Sequence, residues 1–175
     1  YASRGLGDVY KRQVRDMFLF SCFTGIPYGD MRLLTKDNLC LAEDGIWWIK
    51  SARQKTKIEF EIPLLDLPLQ ILKKYSGTAP GDMLPMYCNS TLNLYLKEIA
   101  RICHIDRPLV FHAGRHTYAT EITLSHGVPL ETVSRMLGHS QIETTQIYAK
   151  VTDEKIDTDT KALNRKISER FSVVI

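Results

Sequence analysis

The sequence predicts a mainly α-helical domain carrying one small three-stranded antiparallel β-sheet. Three observations point there. VRDMFLFSCF, from Val14 to Phe23, is apolar on every side, which suits a buried core helix. KIEFEI, from Lys57 to Ile62, alternates with period two, as a half-buried strand does. From Ala113 onward, Gly127, Pro129 and Gly138 divide the chain as helix stops and starts do.

Taken in order, the first helix ends at Thr24-Gly25, where glycine can adopt a left-handed cap. A short helix is expected over Tyr28 to Leu34, ended by the polar run Thr35-Lys36-Asp37-Asn38. Strands follow at Leu39 to Leu41, Gly45 to Arg53 and Lys57 to Ile62, with Glu43-Asp44-Gly45 as one turn and Gln54-Lys55-Thr56 as the hairpin tip. Pro63 ends the third strand. Leu64 to Tyr75 reads as an amphipathic helix and Ser76 to Met86 as a loop. Ser90 is placed to cap a helix from Thr91 to about Cys103. The tail from Asp153 to Phe171 is a polar helix whose apolar side holds Ile156, Leu163, Ile167 and Phe171.

The chain's 175 residues allow one domain with a sizeable core, and 44% hydrophobic with 25% charged content is ordinary for a globular protein. No apolar run approaches the roughly 20 residues of a membrane span, and no secretory signal pattern opens the chain. Cys22, Cys40, Cys88 and Cys103 lack metal-site spacing and read as buried free thiols of a reducing cytosol. The first thirteen residues, YASRGLGDVYKRQ, look like the translation of a transposon-end adapter, so native sequence is expected from Val14. Arg4, Lys11 and Arg12 against Asp8 would then supply two of the three net positive charges, which makes overall basicity a poor argument for nucleic acid. Specific residues must carry it.

They lie between His112 and Tyr148. On a helix from Ala113 to Ser125, Arg115 falls three positions after His112, so both sit at the helix start, where a phosphate can be received. The next helix runs from Pro129 to Gly138, with His139 in the turn. Ser140 and Glu143 have the spacing of a capping box that would launch a helix bearing Tyr148. A phenol beside several cationic groups suits attack on a phosphodiester, whose transition state is anionic. Singly, each residue has an ordinary structural explanation. His112 and His116 at i,i+4 resemble a zinc pair, but the intervening glutamate and a third ligand are missing.

Together, HxxRHTYAT, LGHS and a tyrosine nine residues after His139 closely resemble the tyrosine recombinase (phage-type integrase) family. FLFSCFTG with Asp30-Met31 and Leu34-Thr35 resembles the family's first motif region, and RQKT its β-hairpin lysine. The resemblance spans about Val14 to Phe171 and implies the integrase catalytic-domain fold. It implies strand transfer without metal or other cofactor, through a covalent 3′-phosphotyrosine. Tyr148 would be the nucleophile, Arg115 the clamp on the non-bridging oxygens, His112 a proton-transfer residue, His139 a phosphate hydrogen-bond partner and Lys55 the general acid. The implied partners are double-stranded DNA and further copies of the chain, a tetramer on DNA, with no membrane and a cytoplasmic, nucleoid-associated location. The family's N-terminal DNA-binding domain has no counterpart, so the chain is expected to be a catalytic fragment. Its 153–175 tail would pack on a neighbouring protomer or back on its own domain.

One position departs from the family. Its first motif reads TGLR, whereas this chain has Thr24-Gly25-Ile26-Pro27, with Pro27 in the arginine's place. Arg53, two positions before Lys55, is expected to share Lys55's face and to supply the missing charge. Arg32 is a weaker candidate. Integration and excision of a mobile element is the expected role; a catalytically lapsed DNA-binding module and a type IB topoisomerase are the alternatives.

Overall fold

The computed structural model describes residues 2–77, 83–149 and 153–168, with side chains from residue 7 and from residue 156 in the first and last of these spans. Helix α1 (Ala2–Thr24) runs through the centre and packs against three later helices, over Asp66–Tyr75, Asn89–Ile102 and Ala113–Thr117. Val14, Met17, Phe20, Ser21 and Thr24 are all 0% exposed, a stripe at helical spacing. From Met17 to Thr24 no residue is exposed, as the all-round apolar pattern requires. The adapter-like segment continues this helix: Tyr10 packs on Tyr87 and Tyr95, and Lys11 pairs with Glu98.

Asp16, on the same helix, is 4% exposed and would be costly to bury unpaired. Burial pushes its carboxyl up, but hydrogen bonds from Lys74, Arg15 and Tyr75 outweigh this and hold it below the usual range. The arrangement ties α1 to the end of α3 (Asp66–Tyr75).

After the short α2 (Tyr28–Met31), strands β1 (Leu39–Leu41), β2 (Trp47–Ala52) and β3 (Glu59–Pro63) form an antiparallel sheet in the order β1-β2-β3. Leu39, Ile49 and Ile62 align across it, and Phe60 and Ile62 are the buried residues of β3's alternation. Helix α4 (Asn89–Ile102) precedes α5 (Ala113–Thr117), which continues through a π turn (Tyr118–Thr123) and a 3₁₀ turn (Leu124–His126) to Gly127. Then come α6 (Leu130–Met136), α7 (Glu143–Gln146) and α8 (Asp153–Ser168). No described helix is long and apolar enough to cross a membrane.

Several boundaries differ from the sequence reading. The second helix stops at Met31, short of Leu34. Helix α4 starts at Asn89 with Cys88 at the cap position, and the Ser90 hydroxyl lies 3.1 Å from the Cys88 thiol rather than capping the backbone. Ile142, not Ser140, precedes α7, with no side-chain cap. Of the four free cysteines only Cys22 is buried; Cys88 and Cys103 are exposed. In α8 the expected apolar side is open: Ile156, Leu163 and Ile167 are 54%, 56% and 44% exposed. Phe171 lies outside the described residues.

Candidate active site

The site begins at Gly25. Its φ of 69° and the crowding around it both require glycine: a Cβ would lie 2.5 Å from Tyr118 Cδ1 and 2.9 Å from Leu137 Cδ2. Thr24 and Ser21 hold the turn, their hydroxyls donating to Phe20 O at 2.7 Å and Ile26 O at 2.9 Å. The turn presents Gly25 O to Arg115.

Arg115 is 4% exposed and spans three segments. Its Nη1 donates to Gly25 O at 2.8 Å and its Nη2 to Leu137 O at 2.7 Å. Nη2 also meets His139 Nε2 at 2.9 Å. Burial and Arg53 pull the guanidinium down to about 10, against the opposing pull of Tyr148 and Asp30. It therefore stays charged at neutral pH. Gly138, at φ 63°, ends α6 and turns His139 back, so that His139 N bonds to Ser134 O at 3.1 Å. Thr145, fully buried, receives the other ring nitrogen of His139 at 2.8 Å. Burial, then Arg115 and Arg53, lower His139 to about 4, so it is neutral at pH 7. His112, at the start of α5, is lowered by burial, then by His116, Arg115 and Arg53.

Arg53 reaches the same place. Its side chain is 15% exposed and packs where a Cβ on Gly138 would come within 2.7 Å of its Cγ. Its Nη1 is 3.2 Å from Asp30 Oδ2, within ion-pair range but not aligned as a hydrogen bond, so both atoms and Arg53 Nε lack hydrogen-bond partners. Asp30 Oδ1 meanwhile accepts the Gln54 backbone N–H at 2.9 Å, anchoring the hairpin to α2. Two cationic forks, the buried Arg115 and the partly buried Arg53, thus face one region, where Arg53 has donors to spare.

Tyr148 is half-buried and lies in the turn after α7, not on a helix as expected. Its ring meets His116 edge-to-face, centroids 5.0 Å apart, and its hydroxyl interacts with Arg115. The structure therefore brings His112, Arg115, His139, Tyr148 and Arg53 together. Lys55 is exposed at the hairpin turn, and no described contact joins it to them. The expectation that Arg53 and Lys55 share a strand face fails because β2 ends at Ala52 and Lys55 lies within a tight turn from Arg53 to Lys57. The Lys57 N–H closes this turn by donating to Arg53 O at 2.8 Å, with Lys57 at φ 61°. Arg32 is exposed. Pro27 lines a groove of about 220 Å³ with His112, Asn89 and Asn93. His116 and Asp30 also reach the site, though the sequence assigned neither a site role and showed Asp30 only as part of the first motif region. His116 was legible only as half of a zinc pair, and the described residues hold no cluster of three or more metal-ligating side chains.

Comparison with known proteins matches this architecture. The phage integrase family model matches residues 8–155. The chain is 44% identical to tyrosine recombinase XerD of Pseudomonas putida, over 86% of this chain and 54% of that protein, so it spans about half of that relative. It is similar in fold to the XerH site-specific recombinase bound to a palindromic difH substrate in a post-cleavage complex, with a TM-score of 0.67 at 17% identity over 86% of this chain and 46% of the other. It is also similar to the Tn1549 transposon integrase in complex with circular intermediate DNA, with a TM-score of 0.62 at 14% identity over 91% and 65% of the two chains. The fold, the motif order and the family match agree: this chain belongs to the phage integrase family, the tyrosine recombinases.

Proposed function

We propose that this chain is the catalytic part of a site-specific DNA recombinase that cuts and rejoins DNA through a phosphotyrosine at Tyr148. The observation that carries the reading is the convergence of Tyr148, Arg115, His139, His112 and Arg53 from distant parts of the chain. The Tyr148 oxygen attacks the scissile phosphorus as the bond to the 5′-oxygen breaks. One new P–O bond replaces one old one, so the reverse reaction needs no external energy. Arg115 and Arg53 hold the non-bridging oxygens, with Arg53 standing in for the charge lost at Pro27. His112 takes the phenolic proton and His139 hydrogen-bonds the phosphate. Lys55 protonates the departing 5′-oxygen from an exposed hairpin tip. In this reading no step uses a metal ion.

The DNA-bound states named for the XerH and Tn1549 proteins support double-stranded DNA as substrate, and the transposon integrase supports a mobile-element role. The open apolar side of α8 supports assembly of several copies. A nicked suicide duplex tests the reading. A covalent protein–DNA adduct is expected, and its absence would leave a lapsed DNA-binding module. Joining of two separate sites is expected as well; relaxation of supercoils without joining would favour topoisomerase-like action.

A further inference from the structure

His112, His116 and Tyr148 form a row of three rings. The first pair meets edge-to-face at 5.0 Å and 85°, the second at 5.0 Å and 75°. His112 and His116 lie one turn apart on one face of α5, which is anchored by the buried Arg115 between them. Tyr148 has no such support from its own backbone. It sits past the end of α7, held by Tyr148 N to Thr145 O at 3.0 Å, and that bond does not fix its ring.

We infer that His116 is a positioning residue whose ring is the platform that holds the Tyr148 phenol beside Arg115. The inference rests on the functional reading above. The contact is between ring faces and edges, and the His116 side chain makes no hydrogen bond among the described residues, so a platform fits better than a proton acceptor. An edge-to-face contact of this kind raises the population of the positioned ring by about twofold to tenfold. Attack requires that ring in place, so the effect falls on the rate at saturating DNA and not on affinity.

The test uses single-turnover adduct formation by the 175-residue chain on nicked duplexes. The duplex is drawn from a pool randomised around the break by wild-type adduct formation. His116→Ala is expected to slow adduct formation at saturating duplex by up to about tenfold, with duplex Kd unchanged. His116→Phe, which keeps a ring but no titratable nitrogen, is expected to restore most of the rate. A bridging sulfur at the 5′ position, which removes the need for a general acid, is expected not to rescue His116→Ala. A wild-type rate in His116→Ala would overturn the platform alone. So would a His116→Phe rate as low as the alanine variant's, because it would show that the imidazole's proton chemistry is required. If the wild-type chain enriches no duplex, the functional reading fails and takes the platform with it.

Discussion

Arg115 Nη2 donates to His139 Nε2 at 2.9 Å, and this contact fixes the state of the imidazole. A guanidinium can only donate, so Nε2 must accept. The ring proton then sits on Nδ1, 2.8 Å from Thr145 Oγ1. To donate to a phosphate oxygen through Nε2, His139 must first release Arg115 and take up or move a proton. An incoming phosphate favours both changes, because its negative charge stabilises the imidazolium and competes for the guanidinium.

Without DNA, this geometry makes the fold acid-sensitive. His139 is depressed from 6.5 to about 4 in the folded chain, so between those values the unfolded chain binds more protons. The contribution to stability is complete above pH 6.5 and is lost as the pH falls toward 4. His112 shifts in the same direction. Thermal melts across this range should show Tm falling with pH, and His139→Gln should flatten part of the slope. An identical slope in the variant would contradict the assignment.

Arg53 should be needed for both stability and cleavage. Removing it leaves Asp30, 5% exposed, without its cationic neighbour, at a cost of about 3 kcal/mol. Loss of one phosphate-stabilising donor should also slow cleavage about 100- to 1000-fold. Urea unfolding and single-turnover cleavage of Arg53→Ala, measured where the variant is folded, check the two effects separately. Arg101→Ala, an exposed arginine away from the site, is the control. Equal cleavage by the two variants would show that Arg53 does not stand in for the charge lost at Pro27.

Gly25→Ala should be destabilising by at least about 2 kcal/mol, since it combines a left-handed backbone with overlap against Tyr118 and Leu137. The displaced Gly25 carbonyl would also loosen Arg115. Chemical denaturation measures the first effect. Gly45→Ala, also at positive φ but with open space around it, isolates the backbone cost from the crowding.

The sequence made much of this visible, and the reasons lie in particular residues. The helix through Val14 to Phe23 and the strand at Lys57 to Ile62 were legible because burial imposes a period on apolar side chains. Gly127 and Gly138 marked helix ends because a positive φ is cheap only for glycine. Ser140 misled because a capping pattern is local, whereas the ring of His139 turns inward to Thr145 and the chain enters α7 at Ile142. The burial of Arg53 was not legible from alternation, because it depends on Asp30 and on the space left by Gly138, both remote in sequence. His116 meets Tyr148 only when the chain past α7 returns to its ring.

Helix α8 should contribute to assembly and little to the stability of a single copy. Every described side chain from Ile156 to Ser168 is exposed. Replacing Leu163 and Ile167 by serine should shift the melting free energy of the lone chain by no more than about 0.5 kcal/mol. The same change should weaken association of copies on DNA, read by sedimentation or native gels. A large loss of melting stability would show that the helix packs on its own domain.

The most direct test is to digest the trapped protein–DNA adduct and locate the modified residue by mass spectrometry. The reading predicts a nucleotide linked through phosphate to Tyr148, and no adduct from Tyr148→Phe. A DNA-linked peptide lacking Tyr148, or an undiminished adduct in Tyr148→Phe, would contradict it.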